Sequence, residues 1–380
     1  MKKFLIKVGI FITPLALVCV PAFLHLNKHR ELVSLDEALE LSQREGALVG
    51  FAYSAPDYLL KYRAVELKKP EVLALGSSRV LPIRSNYFYR PEGFYNAGMA
   101  VRRVRDFRRF LEDYPAELPK IFILSLDHYF FNENYDDFSK DPRVFTVNEP
   151  LIGGRFIKAL KGVIKSIEKG KFKGGEIQSE KNIGATGRIN ASGFRADGSY
   201  CSGGVMLKDG GYQFEQSLKQ IADNKSRFSK TEEIHAAAVD ELALFLAECQ
   251  KREIHVVAFL PPYAAKVYDE FKKSPDSYPH IFSLHAHLKL MFDELGLKLF
   301  DFGNMKDFGA SDFETTDGFH GSEVCYLRMM IEMSEEDEIL KKYVDCEKTK
   351  NFFKEAYSSR QFIKEVEEKS PKPVISPLRD

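Results

Sequence analysis

A serine, a histidine and an aspartate stand at spacings that could build one hydrolytic site. Ser78 lies in Val72-Leu73-Ala74-Leu75-Gly76-Ser77-Ser78-Arg79, where an apolar run ends in Gly-Ser-Ser and a cation. A serine hydroxyl is a weak nucleophile at neutral pH. It needs a base within hydrogen-bond reach and a third group that orients the base. Of the nine histidines only His320 has an aspartate three residues before it, in Asp317-Gly318-Phe319-His320. On one turn, Asp317 can hold the ring nitrogen that faces away from Ser78. Gly-x-Ser recurs at Gly309-Ala310-Ser311, but no apolar strand precedes it.

The elements around these residues predict how they meet. A short apolar run ending at glycine suits a buried parallel strand. A serine just past it sits at the carboxyl edge, where open α/β sheets build their sites. Gly76 permits a tight turn there. A helical turn opening at Ser78 would aim its free N–H groups at the site. Phe94–Gly98, Ile121–Asp127, Ile254–Leu260 and Leu297–Phe302 read as further strands. Helices are expected from a capping box at Ser34 to about Arg44, from Ser54-Ala55-Pro56-Asp57 to about Leu67, and over Val101–Tyr114. Others are expected over Pro150–Lys169, Thr231–Arg252, Pro279–Leu295 and from about Ser322 to Met333. The strand–helix alternation predicts an α/β fold with a parallel sheet.

Composition narrows the classes. Lys and Arg together number 55, as do Asp and Glu, so no net field argues for nucleic acid. The five cysteines form no C-x-x-C pair, and no structural metal or cofactor is expected. Lys2, Lys3 and Lys7 precede an uncharged run from Val8 to Leu24. That is about the minimum for a spanning helix. An uncleaved anchor is expected, with a signal peptide cleaved near Val20-Pro21-Ala22 as the alternative. Residues 1–30 therefore read as anchor or signal, 31–345 as the α/β domain, and 346–380 as a charged, peripheral tail. An insertion at about 131–230 is expected over the carboxyl edge of the sheet. Its helix turns Phe156, Leu160, Val163, Ile164 and Ile167 inward, with Arg155, Lys158, Lys161 and Lys165 on the other face. That basic face is either a solvated face or a contact with anionic lipid or polymer. Gly170–Gly187 is expected as loop, and Gly193–Ser199 as a surface turn or a cleft wall.

With these blocks in view, the chain resembles the SGNH (GDSL-type) hydrolase superfamily over roughly residues 70–335. Gly76-Ser77-Ser78 matches its nucleophile block and Asp317-Gly318-Phe319-His320 its C-terminal block. The resemblance implies a three-layer, flavodoxin-like parallel sheet with Ser78, His320 and Asp317 as the catalytic triad. It also implies an oxyanion hole from the N–H groups of Ser78 and of Gly98, in Asn96-Ala97-Gly98. Arg79, Asn96 and Asp127 are the candidate substrate contacts; a structural ion pair with a nearby acid is the equal alternative for Arg79, and support of the site's loops or a strand-end cap is the alternative for Asp127. Two departures stand out: Ser77 replaces the usual aspartate, and Asp127 stands where the family's oxyanion-hole asparagine belongs. A carboxylate cannot donate a hydrogen bond unless protonated. Membrane-anchored members that alanylate teichoic acid or acetylate alginate share Gly-Ser-Ser or Gly-Thr-Ser blocks. The implied activity is extracytoplasmic esterase or O-acyltransferase chemistry on a cell-envelope polymer, beside a membrane-bound O-acyltransferase. The implied location is the cytoplasmic membrane, with a single pass and a periplasmic domain; the alternative is secretion. An inactive binding or assembly protein on the same fold is the competing reading.

Overall fold

The structure is a computed structural model that describes residues 1–54, 57–114, 116–136, 138, 152–202, 213–315 and 317–358. Ala55, Pro56, Pro150 and the segment 359–380 lie outside the described residues. In chain order the helices are α1 (Lys2–Lys28), α2 (Leu35–Glu45), α3 (Asp57–Lys68), α4 (Val104–Glu112), α5 (Ile152–Glu168), α6 (Gly184–Asn190), α7 (Glu215–Ala222), α8 (Ala236–Lys251), α9 (Ala265–Phe271), α10 (Pro279–Phe282), α11 (Leu284–Glu294), α12 (Glu323–Glu336) and α13 (Cys346–Ser358). The strands are β1 (Val72–Gly76), β2 (Phe94–Gly98), β3 (Ile121–Ser125), β4 (Gly193–Phe194), β5 (Tyr200–Cys201), β6 (His255–Leu260) and β7 (Lys298–Asp301). Two compact units emerge. One comprises Met1–Leu60, Phe145–Ala196 and Tyr200–Val205; the other comprises Lys61–Val144, Asp197–Ser199 and Met206–Asp380.

The larger unit holds a five-stranded parallel sheet in the order β2-β1-β3-β6-β7. Every residue of β1, β2 and β3 is buried, as a sheet covered on both faces requires. On one face Phe122 packs toward Phe245 of α8, which also meets Phe107 of α4. On the other, Val72, Ala74, Ile121, Ile123, Val257 and Phe259 share a core with Tyr326 and Met330 of α12. Each Val, Ile, Phe or Met among them, fully buried, contributes about 1.5–3 kcal/mol. From β1 the chain moves outward to β2, then returns to add β3 on the other side of β1. That reversal puts the topological switch point of the sheet at the carboxyl ends of β1 and β3.

β2 is an edge strand, and a distant tripeptide covers it. The Asn96 N–H donates to Asp197 O at 2.8 Å, and the Ser85 N–H to Asp197 Oδ2 at 2.9 Å. The ammonium of Lys61, fully buried, donates to Asn96 O and Gly198 O. Gly198 has φ +81°, and an added Cβ would lie 2.2 Å from Asn96 O, so only glycine fits.

Several expected boundaries shift. Helix α8 starts at Ala236, because the Thr231 and His235 N–H groups donate to Ser277 O and Phe131 O instead. The helix expected over Pro279–Leu295 breaks at Ser283. The stretch expected as loop to Gly187 already enters α6 at Gly184, which has φ +80° and approaches Gly50 closely. The start of the tail is not peripheral: α13 packs on α12, with Phe353 and Thr349 buried.

In the smaller unit the last turns of α1 pack on α5. Phe23 meets Phe156 edge-on at 6.0 Å, and Leu26 clusters with Ala159, Val163 and Tyr53. Buried Glu31 accepts from the N–H groups of Ala52 and Ala185 at 2.8 and 2.7 Å, and Arg155 donates to Glu31 O at 3.2 Å. Within α1, Ile10–Lys28 is long and apolar enough to cross a membrane. Ile164 and Ile167 of α5, expected inward, are 42% and 59% exposed.

Candidate active site

Ser78 is set by the end of β1. An added Cβ on Gly76 would lie 2.8 Å from Ser125 Cβ, so glycine is what lets β1 and β3 end side by side. The Ser77 hydroxyl accepts from the Arg79 N–H at 3.1 Å and caps a single 3₁₀ turn, Ser78–Val80. Ser78 itself is half-buried.

The base comes from the loop before α12. Gly318 takes φ +81°, and its carbonyl accepts from the Ala264 N–H at 3.0 Å. The Thr315 hydroxyl accepts from the Gly318 N–H at 3.0 Å and donates to His320 O at 2.9 Å. Ser217 Oγ donates to Asp317 O at 2.9 Å. Buried Glu314, ion-paired to Arg328 at 2.9 Å, anchors the loop to α12. These bonds fix both side chains. Ser78 Oγ lies 2.9 Å from His320 Nε2, and His320 Nδ1 lies 2.8 Å from Asp317 Oδ2. Asp317 Oδ1 also accepts from the N–H groups of Phe319 and His320, at 3.0 and 2.8 Å. Burial works to raise the Asp317 carboxyl, but the His320 ring and these N–H groups hold it well below the usual carboxylate range. The three residues chosen from spacing alone therefore form one hydrogen-bonded chain.

The oxyanion side differs from expectation. The Gly98 N–H already donates to Asn96 Oδ1 at 2.8 Å. Asn96 is fully buried, and its Nδ2 donates to Val80 O and Ile83 O at 2.9 and 2.8 Å. Its side chain ties β2 to the turn after Ser78 and is not open to a substrate. The Ser78 N–H makes no hydrogen bond among the described residues, so it remains a usable donor.

Arg79 and Asp127, each a candidate for a substrate contact or for a structural role, face each other. Both side chains are fully buried, with Arg79 Nη1 3.6 Å from Asp127 Oδ1. Burial raises the Asp127 carboxyl, and Arg79 opposes that only in part. Arg79 Nη2 donates to Pro262 O, and Tyr326 Oη donates to Arg79 O. The Arg79 guanidinium lies 4.4 Å from the Tyr263 ring centre and 4.3 Å from that of Phe319. One arginine thus ties the ends of β1, β3 and β6 to the loop that carries His320. Next to Asp127, His128 is fully buried, and burial pushes its ring well below the ordinary histidine value.

Two features of this region carry no sequence signal. Phe319 lies edge-on to the His320 ring at 4.8 Å, and Tyr129, Phe228 and Tyr263 surround it. The second is Arg227, whose guanidinium lies 4.4 Å from the Phe319 ring centre. It is half-buried and, among the described residues, has no ion pair. Asn224 and Ser226, both non-glycine residues at positive φ, build the turn that presents it. Among the described residues no cluster of His, Cys, Asp or Glu could hold a metal. No family profile, curated protein or solved structure matches this chain.

Proposed function

We propose that the larger unit is an SGNH-type serine esterase or O-acyltransferase, anchored by α1 and acting outside the cytoplasm on an envelope polymer. The observation that carries this reading is the chain Ser78 Oγ–His320 Nε2, His320 Nδ1–Asp317 Oδ2, at 2.9 and 2.8 Å. Two features support it. The sheet order, numbered within the sheet, is 2-1-3-4-5, as in flavodoxin-like folds, and Ser78 lies where the order reverses.

In this mechanism Ser78 Oγ attacks an ester carbonyl while His320 Nε2 takes its proton. Asp317 holds Nδ1–H and stabilises the imidazolium. The tetrahedral intermediate collapses, the ester C–O bond breaks, and His320 returns the proton to the leaving alkoxide. The acyl-Ser78 then passes its acyl group to a hydroxyl activated by the same histidine. Water as acceptor gives an esterase; a sugar or polyol hydroxyl gives a transferase. The acyl donor would come from a small ester or from a membrane-bound O-acyltransferase.

A second reading has a specific observation behind it. With the Gly98 N–H bound to Asn96 and a carboxylate at 127, the Ser78 N–H is the one expected donor left to stabilise an oxyanion among the described residues. The loss of one donor can cost about a hundredfold or more in rate. A non-catalytic envelope binding or assembly protein on the same fold fits that arrangement. A fluorophosphonate probe separates the two. Labelling of the folded chain at Ser78, absent in Ser78→Ala, supports the enzyme. No labelling, under conditions that label a control esterase, overturns it.

A further inference from the structure

Helix α5 presents two outward stripes. At 100° per residue, Arg155, Ala159 and Val163 fall on the buried side. Next around the cylinder come Ile157, Ile164 and Ile167, exposed by 53, 42 and 59%. Beyond them Lys158, Lys161 and Lys165 form a row, continued by Lys169 after the helix, all exposed. None of these four lysines has an ion pair among the described residues, and Glu168 is the only acid on the helix. A surface helix in water does not need three isoleucines facing outward beside an unpaired cationic row. A helix in a membrane interface needs both.

The position of α5 says what covers it. Among the described side chains of α1 beyond Lys7, the exposed apolar ones run from Ile10 to Leu24, within the stretch Ile10–Lys28 that is long and apolar enough to cross a membrane. Among the described side chains of α1, burial begins in the last turns, where Ala22 is 8% and Leu26 0% exposed. Those turns are the ones that meet α5, through Phe23 on Phe156 and Leu26 on Ala159 and Val163. Helix α5 therefore sits at the depth where α1 leaves the hydrocarbon. Just beyond it Phe172, 42% exposed, packs on His25 at 4.7 Å between Lys171 and Lys173. An aromatic among lysines suits the headgroup level.

We propose that the outward face of α5 lies in the surface of an anionic phospholipid bilayer, with Ile157, Ile164 and Ile167 in the acyl boundary and the lysine row among the headgroups. The membrane contact is then a helix lying in the surface plus a span. This inference rests on α1 being a membrane span and is independent of any chemistry at Ser78.

The test uses the full chain in lipid nanodiscs, with a spin label at Ile164→Cys and the accessible cysteines Cys19, Cys201 and Cys346 replaced by serine. A label at Leu244→Cys, an exposed position in the larger unit, reports water. In nanodiscs containing phosphatidylglycerol, the Ile164 label should collide with oxygen severalfold more, and with a water-soluble nickel chelate severalfold less, than the Leu244 label. Lys158→Glu with Lys161→Glu and Lys165→Glu should reverse that ratio without changing the melting temperature. A nickel collision rate equal to that of Leu244 overturns the proposal. Low collision with both reagents also overturns it, in favour of a protein partner or second copy. Equal immersion in pure phosphatidylcholine, unmoved by the charge reversals, overturns the anionic assignment. An Ile157→Cys label repeats every arm if the first variant misfolds.

Discussion

The two sides of Ser78 are built to different standards. On the proton-transfer side every group is engaged: Asp317 holds His320, His320 reaches Ser78, and Thr315, Ser217 and Ala264 hold the loop. On the side where the proposed mechanism would place the carbonyl oxygen, the Gly98 N–H is spent on Asn96 and a buried carboxylate stands at 127, which leaves the Ser78 N–H of the expected donors. The difference follows from how each side is assembled. The relay needs one local turn and one long-range meeting. The oxyanion side needs backbone from β2 and a side chain after β3 to converge, and here both serve packing.

Changes at both sides can break or sharpen this contrast. The largest effects belong to the relay. Ser78→Ala should abolish probe labelling, and Asp317→Asn should lower ester turnover about 10⁴-fold, as loss of the orienting carboxylate does elsewhere. Burst kinetics on an aryl ester read both. Next in size, Arg79→Ala strands the buried Asp127 carboxylate and should cost about 3–5 kcal/mol in thermal or urea unfolding. Asp127→Asn places an amide donor at the weak side. Turnover should rise by up to about a hundredfold, and an unchanged or lower rate in a folded variant would show that residue 127 does not face the oxyanion. The Asp317 carboxyl is held low in the folded chain, so its stabilisation is complete above the unfolded value of about 3.9 and is lost as pH falls below it. Acid titration of the melting temperature should show this loss in the wild type and a shallower slope in Asp317→Asn. The smallest effect is expected of Arg227→Ala, about 0.5–2 kcal/mol for a half-buried cation over a ring, against the several expected at Arg79.

The features that could be read in the sequence are those in which a local pattern suffices. β1, β2, β3 and β6 were legible because strands covered on both faces are nearly unbroken apolar runs. Asp317 and His320 were legible because three residues on one turn keep them together. Arg79 with Asp127 and Asn96 with Gly98 were legible as candidates, but their partners were not, because each pairing joins separate elements or turns a side chain back on the chain. Arg227 approaches Phe319 from a remote turn and leaves no local trace. The isoleucines of α5 have the period of a core face, yet Ile157, Ile164 and Ile167 are exposed, and periodicity alone does not say which apolar face is covered. The charged solvent face of α13 hides Phe353, which faces inward.

The tripeptide Asp197–Ser199 has a consequence for the order of folding. Left bare, the outer edge of β2 is a template on which another chain could pair. The residues that cover it lie about a hundred positions downstream, so a ribosome has long released β2 before they emerge. Contacts of such sequence separation form late. A nascent chain that paired β1 with β2 before Asp197–Ser199 emerged would leave that edge unprotected. Slow refolding and concentration-dependent aggregation should therefore be most severe in Gly198 variants, whose added Cβ would collide with the edge it is meant to close.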